Sequence, residues 1–287
     1  MIAGWERTGF PSIPGHEWSG VVEAVGEGVD AGLVGKKCVA ENVLSDGGEE
    51  GFERPGGYGQ FLITEASKVQ VLPADFPPAE AALIEPLAVS VRGMRRLRLE
   101  GEKAALIFGD GPIGLILVML LRRAGVEEID LAGGRPARLA LSRDLGASNV
   151  LNYHEVRGEL AGAVRGCFGH RFLIVVEASG SAKALEAALD VAELGAKILI
   201  LGDYGRAKAD FLWNRLLHGE LVLIGSNASA EAWPEAVRLA CEERLPLSRL
   251  ITHRLAAERF EEAIDLARSC REAIKVVLEW TYRSRHK

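Results

Sequence analysis

Cysteine is scarce in this sequence, and no two cysteines lie close enough to act as a chelating pair. Of the 287 residues only four are cysteine, and none belongs to a C-x-x-C pair. The four are Cys38, Cys167, Cys241 and Cys270. This spacing excludes a disulfide framework and a zinc site built from cysteine alone.

Long apolar runs and blocks of basic residues are also missing. The longest apolar stretch, Pro112–Leu121, ends at two arginines and is too short to cross a bilayer, and residues 1–7 have no apolar segment of a secretory signal. Lys and Arg number 34 against 40 Asp and Glu, which gives a formal net charge of −6. This balance disfavours nucleic acid or an anionic membrane as the main partner. We therefore expect a soluble cytoplasmic protein.

The first 75 residues have the pattern of a small antiparallel β domain. Gly, Pro and Asp interrupt short alternating runs, as is typical of strands joined by turns. The predicted strands lie within Gly20–Gly26, Lys37–Glu41, Tyr58–Thr64 and Lys68–Pro73. The acidic, glycine-rich stretch from Leu44 to Gly57 predicts an exposed loop, and a helical region is expected from Pro78 to about Leu97.

From Ala104 onward, apolar runs alternate with segments of helical periodicity. The predicted strands are Ala104–Phe108, Glu128–Ala132, Asn149–Leu151, Phe172–Glu177, Lys197–Leu201 and Leu221–Gly225. The predicted helices are Pro112–Arg123, Pro136–Leu145, Ala182–Ala192 and Pro234–Glu243, and a last helix (Ala257–Arg268) and strand (Ile274–Glu279) follow. Near-continuous apolar strands separated by helices predict an α/β fold, a doubly wound parallel sheet covered on both faces.

The first of these strands leads directly into the glycine pattern G-x-G-x-x-G and then into an apolar helix. In this pattern Gly109 allows a tight turn, Gly111 lets a pyrophosphate approach the backbone, and Gly114 lets helix and strand pack closely. Pro112 and Ile113 begin the helix, whose positive end would receive the phosphates. The pattern predicts dinucleotide binding, and the alternative is a merely structural glycine-rich turn.

The end of the second strand bears on which dinucleotide is bound. An acidic residue there normally accepts the ribose 2′-hydroxyl, but this strand ends in Gly133-Gly134, and Asp130 comes too early and lies inside the strand. Small residues would leave room for a 2′-phosphate, and Arg135 and Arg138 could pair with it. The sequence therefore favours NADP over NAD. The alternative is that both arginines are simply solvated.

Three motifs, in order along the chain, resemble those of zinc-dependent medium-chain dehydrogenases of the sorbitol/threonine dehydrogenase branch. They are Pro14-Gly-His-Glu-Trp-Ser-Gly-Val-Val-Glu-Ala-Val-Gly26, Ala82-Leu-Ile-Glu-Pro-Leu-Ala88 and the glycine-rich turn. The resemblance implies a GroES-like catalytic domain at 1–95, a Rossmann dinucleotide-binding domain at 96–245, and a return to the catalytic domain at 246–287. It also implies a homodimer or homotetramer.

The resemblance further implies one catalytic zinc, with His16 as its imidazole ligand and Glu17 and Glu85 as carboxylates at the metal or substrate. Neighbouring residues of an extended strand point to opposite faces, so His16 and Glu17 can share an ion only if the backbone turns there. Pro14-Gly15 makes such a turn plausible. Taken alone, His16 would more often be a satisfied buried histidine, and it is Glu85 and the flanking motif that favour the ligand. By family position, residues of the nicotinamide and ribose path are Gly180, Leu201, Gly202, Gly225 and Ser226.

The sequence departs from the family pattern at two places. The family's first zinc ligand, a cysteine, would fall upstream of Met1 together with the opening strands, so we expect an N-terminally truncated chain that could be inactive. Cys38 is no substitute for it by family position. The lobe that often holds a structural zinc is reduced to Leu44–Gly57 and has no cysteine, so no structural zinc is expected.

The expected function is hydride transfer between a secondary alcohol or polyol and NAD(P). Zinc would act as a Lewis acid on the hydroxyl, and the nicotinamide would take the hydride. Two alternatives stay open at this point. One is a zinc-free, NADPH-dependent reductase of the same superfamily, and the other is a nucleotide-binding remnant without turnover.

Overall fold

The computed structural model describes residues 11–169 and 172–281. The described chain divides into two compact units. The first unit comprises the residues up to Ala88 together with those from Ser229 onward, and the second is Val89–Ala228. Residues 1–10, on which the expectations about a signal segment and the chain start depend, lie outside the described residues.

A small antiparallel sheet opens the first unit. Its strands β1 (Gly20–Val21), β2 (Lys37–Ala40) and β3 (Val69–Val71) lie in that order. The middle strand places Cys38, Val39 and Ala40 in the core, and Cys38 pairs with Val71 in register. Helix α1 (Pro78–Ala81) begins at a proline, whose missing N–H would have no helical partner in the first turn, and α2 (Ile84–Leu97) follows.

The strand predicted within Tyr58–Thr64 is wrong. The backbone N–H groups of Gly56, Gly57 and Tyr58 donate to the carbonyls of Ile13, Gly15 and Pro14, so this segment is tied to the turn around residue 15 instead of to a strand. Phe61 and Ile63 keep the alternating pattern but are largely exposed. Alternation alone does not form a strand when no partner strand is available.

The segment from Leu44 to Gly57, predicted to be an exposed loop, is exposed only in part. Ser45 to Gly47 face solvent, whereas Glu50 is fully buried and accepts a hydrogen bond from the Trp18 indole at 2.9 Å. Gly51 also packs against the backbone of residue 15, because a Cβ at position 51 would lie 2.6 Å from that residue's carbonyl carbon. The acidic composition predicts solvation, but this local packing buries the middle of the segment.

The second unit is a parallel six-stranded sheet with helices between its strands, so the predicted doubly wound α/β fold is confirmed. Its order is β6-β5-β4-β7-β8-β9. The strands are β4 (Ala104–Phe108), β5 (Glu128–Gly133), β6 (Asn149–Asn152), β7 (Phe172–Glu177), β8 (Ala192–Ile200) and β9 (Val222–Gly225). The helices are α3 (Pro112–Arg123), α4 (Pro136–Asp144), α5 (Leu160–Phe168), α6 (Ala182–Val191) and α7 (Trp213–His218). Helices α5 and α7 are additions to the sequence prediction.

The return to the first unit begins with α8 (Trp233–Cys241). Strand β10 (Ile251–Ala256), helix α9 (Phe260–Ser269) and strand β11 (Lys275–Glu279) follow, and the two strands pair in parallel. The units meet at residues 88–89 and 228–229, whereas the sequence places the boundaries after residues 95 and 245. Helix α2 continues through the first predicted boundary, and α8 lies beyond the observed second one. None of the helices among the described residues combines the length and the apolarity needed to cross a membrane.

Candidate active site

Three predicted metal ligands come together in the first unit. His16 and Glu17 precede β1, and Glu85 is the second residue of α2. One ligand atom from each of the three lies within 4.8 Å of the others. Within residues 11–169 and 172–281, no other group of His, Cys, Asp or Glu side chains is arranged in this way. Cys38 lies outside the group, and burial raises the pKa of its thiol to about 11.

A sharp backbone turn lets neighbouring residues 16 and 17 serve the same site. Gly15 has φ +102°, a conformation that favours glycine, and a Cβ there would lie 2.5 Å from the Tyr58 ring. Gly57 donates its N–H to the Gly15 carbonyl at 2.7 Å, which holds the turn. The expected turn before His16 is therefore present. It requires glycine, because the φ value disfavours other residues and because the Tyr58 ring leaves no space for a side chain.

His16 has the chemistry of a ligand that is neutral and available. Its Nδ1 is buried and has no hydrogen-bond partner among the described residues. Burial lowers the pKa of His16 more than the adjacent Glu17 carboxylate raises it, so the imidazole stays neutral at physiological pH. The ring also packs against Phe52, with 5.1 Å between the ring centroids. An unsatisfied buried nitrogen is a departure from the usual satisfaction of buried polar groups.

Lys275 of β11 completes the electrostatics of the cluster. Its Nζ donates to both carboxylate oxygens of Glu17, at 2.6 Å to Oε1. Burial alone would raise the pKa of Glu17, but the Lys275 ammonium, through its charge and its hydrogen bond, outweighs this effect and holds the pKa below its ordinary value. The sequence analysis missed Lys275, since the two residues lie 258 positions apart in the chain. A lysine directly before the apolar run Val276–Leu278 is its only sequence signal.

Glu85 is the most strongly perturbed of the three. Burial, together with the nearby Glu17 carboxylate, raises the pKa of Glu85 to about 8. At neutral pH and without an ion, its carboxyl group is therefore largely protonated. A cation bound between the two carboxyl groups and the neutral imidazole would favour the charged form of Glu85, because a positive charge stabilises a carboxylate next to it.

These residues fit a zinc ion. Nitrogen and carboxylate oxygen are donors that zinc prefers, and three protein ligands with one open position are typical of catalytic zinc. The buried Nδ1 of His16 has no hydrogen-bond partner among the described residues, and one ligand atom each of His16, Glu17 and Glu85 lies within 4.8 Å of the others, so a cation placed among them would meet three donors. The roles of His16, Glu17 and Glu85 as ligands stay a prediction.

The glycine-rich turn of the second unit has the geometry that its sequence predicts. Gly109 has φ +117°, and a Cβ on Gly114 would lie 2.0 Å from the Gly109 carbonyl oxygen. By contrast, a Cβ on Gly111 would meet nothing within 4 Å, so the turn is open there. Pro112 is the first residue of α3, and Ile113 follows it. The open face at the start of a helix fits a dinucleotide pyrophosphate.

The end of β5 packs against the glycine-rich turn. A Cβ at Gly133 would lie 2.6 Å from the Cβ of Asp110, so the structure has no room for a side chain at this position. Room for a 2′-phosphate beside Gly133 stays a prediction. Asp110 accepts the backbone N–H groups of Gly134 at 2.9 Å and Arg135 at 2.7 Å, and one of its oxygens is 3.9 Å from Arg138. The sequence analysis missed this acid, which stands between the first two glycines of the turn. Asp130 is buried within β5, as its position in the sequence predicts.

The remaining predicted cofactor residues lie at the carboxyl ends of parallel strands. Gly180 follows β7, Leu201 and Gly202 follow β8, and Gly225 and Ser226 end or follow β9. The Ser226 hydroxyl is buried and has no hydrogen-bond partner among the described residues. Ligands of doubly wound sheets bind at this edge, but contact between these residues and a cofactor stays a prediction.

Two family models match the chain. The model described as "Alcohol dehydrogenase GroES-like domain" matches residues 1–74, and the one described as "Zinc-binding dehydrogenase" matches residues 112–242. The first match contains His16 and Glu17, and the second contains most of the parallel sheet.

Individual relatives of known name are also dehydrogenases. An L-threonine 3-dehydrogenase of Anaeromyxobacter sp. (strain Fw109-5) is 31% identical over 94% of this chain and 82% of its own length. Galactitol-1-phosphate dehydrogenase of Escherichia coli is 27% identical, with a TM-score of 0.80 over 91% of this chain and 82% of that one. A zinc-binding dehydrogenase of Sinorhizobium meliloti 1021, solved bound to NADP, shares the fold at 22% identity, with a TM-score of 0.87 over 95% and 85% of the two chains. The chain therefore belongs to the zinc-binding medium-chain dehydrogenase family.

Proposed function

We propose that this protein oxidises a secondary alcohol or polyol to a ketone, and catalyses the reverse reduction, with NAD(P) as hydride carrier. The observation that carries the proposal is the His16–Glu17–Glu85 cluster, which offers three zinc donors in the GroES-like unit. The open glycine-rich turn of the other unit supports dinucleotide binding. The names of the relatives, a threonine 3-dehydrogenase and a galactitol-1-phosphate dehydrogenase, suggest that the substrate carries a secondary hydroxyl group.

The residues of the cluster would hold the metal and set its charge. Bound zinc supplies Lewis-acid polarisation of an alcohol or carbonyl oxygen. His16 offers a neutral imidazole because burial disfavours its protonation, and Lys275 keeps Glu17 charged. Glu85 holds a proton on its carboxyl group when the site contains no cation, and we expect this proton to be released when a cation binds.

We infer a preference for NADP(H) over NAD(H). Arg135 and Arg138 place two cations at the start of α4, whereas the local acid, Asp110, is already engaged by two backbone N–H groups. A 2′-phosphate carries up to two negative charges and forms charge-assisted hydrogen bonds with arginine. The two cations therefore support the phosphorylated cofactor, even though Asp110 opposes it.

Three further expectations about the whole protein stay proposals. These are one zinc per chain without a structural zinc, a homodimer or homotetramer, and a cytoplasmic location. The proposed partner is a small-molecule alcohol. Neither nucleic acid nor a membrane is proposed as a partner.

The test is metal analysis of the purified chain alongside the His16→Ala variant, with His253→Ala as the matched control in the same unit. Three-donor sites lose their geometry when one ligand is removed, so we expect about one zinc per chain in the unmodified protein and in the control, and almost none in His16→Ala. Reduction of NADP⁺ or NAD⁺ by a panel of secondary alcohols, including L-threonine and galactitol 1-phosphate, should follow the zinc content.

Zinc-free protein that reduces activated double bonds or quinones with NADPH would favour the reductase alternative. Dinucleotide binding without turnover on any substrate, in zinc-loaded protein, would favour the remnant. Equal zinc content in His16→Ala and the unmodified protein would contradict the proposed ligand set.

A further inference from the structure

A buried carboxylate in the second unit lies outside the roles proposed so far. Glu177 is the last residue of β7 and has no exposed surface. Strand β7 pairs with β4, which carries the glycine-rich turn, and with β8. The strand order reverses between β4 and β7, so Glu177 lies at the switch point of the sheet, on the edge where dinucleotides bind.

Four hydrogen-bond donors from two loops converge on the Glu177 carboxylate. From the loop after β7, Ser179 donates both its N–H, at 2.9 Å, and its hydroxyl to Oε1, and Gly180 donates its N–H to Oε2 at 3.2 Å. From the loop after β8, the Tyr204 hydroxyl donates to Oε2. A carboxylate has about four acceptor sites, so these are all used. Glu177 therefore has no free acceptor for a cofactor, and any effect it has on one is indirect.

The two loops lie so close together that neither contacting glycine could carry a side chain. A Cβ on Gly180 would lie 2.2 Å from the Asp203 carbonyl oxygen, and a Cβ on Gly202 would lie 2.2 Å from the Gly180 nitrogen. The Glu177 carbonyl also accepts the N–H groups of Leu201 and Gly202. Glu177 thus joins both loops through its side chain and its backbone.

The same loop reaches the glycine-rich turn. A Cβ on Gly109 would lie 2.8 Å from the Ala178 carbonyl carbon and 2.9 Å from the Ser179 nitrogen. The position of Ser179 therefore also limits the position of the turn at Gly109.

Burial and the Glu177 carboxylate together raise the pKa of Tyr204, so its hydroxyl remains protonated and able to donate.

We propose that Glu177 is a positioning residue for the nicotinamide half of the dinucleotide, acting by tying the loops after β7 and β8 to each other beside the glycine-rich turn. The inference rests on the proposed function. In doubly wound sheets the strand pair β4–β5 serves the adenosine half, where an acid or arginine meets the adenosine ribose. The loops after β7 and β8 belong to the other half of the sheet, so they serve the nicotinamide half.

The experiment compares binding of whole dinucleotide with binding of its adenosine fragment. Tyr204→Phe removes one donor to Glu177 and keeps the ring, and Glu177→Gln keeps the shape but removes the charge. Ser142→Ala is the matched control, because its buried hydroxyl donates to the Leu139 carbonyl within α4 and lies outside the Glu177 hydrogen bonds. Calorimetry on the full chain measures Kd for NADPH, NADH and AMP, and steady-state assays separate kcat from KM for the cofactor.

For Tyr204→Phe we expect the Kd of NADPH or NADH to rise about three- to tenfold, the change that one lost hydrogen bond causes. The KM for the cofactor should rise with it, and AMP affinity should stay at the unmodified value. Glu177→Gln should show the same pattern more strongly. The control should match the unmodified protein with every ligand.

Unchanged dinucleotide affinity in folded Tyr204→Phe would overturn the inference. An equal loss of AMP and dinucleotide affinity would also overturn it, because that result means a general loss of structure. If the unmodified chain binds AMP but neither dinucleotide, the proposed function itself fails, and this inference fails with it.

Discussion

Single side chains decide the charge of the candidate zinc site. Glu17 and Glu85 bring two carboxyl groups to one neutral imidazole, and Lys275 compensates one of these carboxylates from the far end of the chain. Removing one partner of a part-buried ion pair leaves the other charge desolvated, which costs more than the pair itself contributes. Lys275 therefore acts on the metal site through Glu17.

We predict that Lys275→Met changes metal binding without removing a ligand. Glu17 would lose its competing cation and become more available to the metal, so zinc affinity should rise, while the metal-free protein should unfold at a lower temperature. The measurements are zinc affinity by chelator competition and thermal unfolding with and without zinc. Lys275→Arg, which keeps the charge, is the control. A loss of zinc from Lys275→Met would mean that the lysine orders the site in some further way.

Cofactor choice also depends on individual residues. Arg135→Ser should lower the ratio of kcat/KM for NADP over NAD by about tenfold, since one charge-assisted hydrogen bond is worth roughly 1.5–3 kcal/mol and exposure reduces it toward the lower limit. Arg143→Ser, on the exposed last turn of α4, is the control and should leave the ratio unchanged. A preference for NAD in the unmodified protein would show that Asp110 outweighs the two arginines.

At the scale of elements, the glycine-rich turn and the end of β5 are built as one interlocked piece. Asp110 fills the space that a side chain at position 133 would need, and it also accepts the N–H groups that follow β5. The structure can therefore hold either an acidic side chain at position 110 or a side chain at position 133. It cannot hold both without rearrangement.

We predict that Gly133→Ala destabilises the protein by about 1–3 kcal/mol, the usual cost of overpacking a buried site. In an Asp110→Gly background the same Gly133→Ala change should cost little, and a double-mutant cycle from thermal unfolding measures this difference. Gly166→Ala in α5 is the control, because a Cβ there meets nothing within 4 Å and alanine favours a helix. Additive effects in the cycle would contradict the interlock.

The elements that the sequence predicts well are those whose local pattern and burial agree. Strand β4 and helix α3 have near-continuous apolar residues, and their observed bounds equal the predicted ones. Helix α5 escaped prediction because Gly162 and Gly166 disfavour a helix, and only the packing of residues such as Val164 into the core stabilises it.

Some residues of the candidate site can be predicted from local motifs, and others cannot. His16, Glu17 and Glu85 stand in motifs that can be read locally, and the structure brings them together. Lys275 and Asp110 act through contacts with residues distant in sequence, so no local pattern reveals them.

At the scale of the whole molecule, the two units hold different parts of the proposed chemistry. The donor cluster belongs to the first unit, and the glycine-rich turn with its parallel sheet belongs to the second. Within the part of the chain that the structure describes, neither unit alone therefore holds both the donor cluster and the glycine-rich turn.

The outer edge of the parallel sheet suggests how a proposed homodimer forms. Strand β9 is the last strand of the sheet and, among residues 11–169 and 172–281, pairs with β8 alone; α7 precedes it in the chain. We define the edge surface as the exposed apolar side chains of this region, which are Leu212, Trp213, Leu217 and Val222. An unprotected edge strand with exposed apolar neighbours is a template for pairing with another chain, and a twofold axis would bring the same surface of two copies together.

We predict that Leu217→Glu converts the dimer into a monomer, because its side chain is 68% exposed in one chain and would be desolvated at the contact. Ile63→Glu is the matched control, since this side chain is 92% exposed and lies in the other unit. Sedimentation equilibrium on both variants and the unmodified protein gives the masses. A dimer that survives Leu217→Glu, or one that is lost equally in Ile63→Glu, would place the interface elsewhere. A monomeric unmodified protein would contradict the homodimer itself.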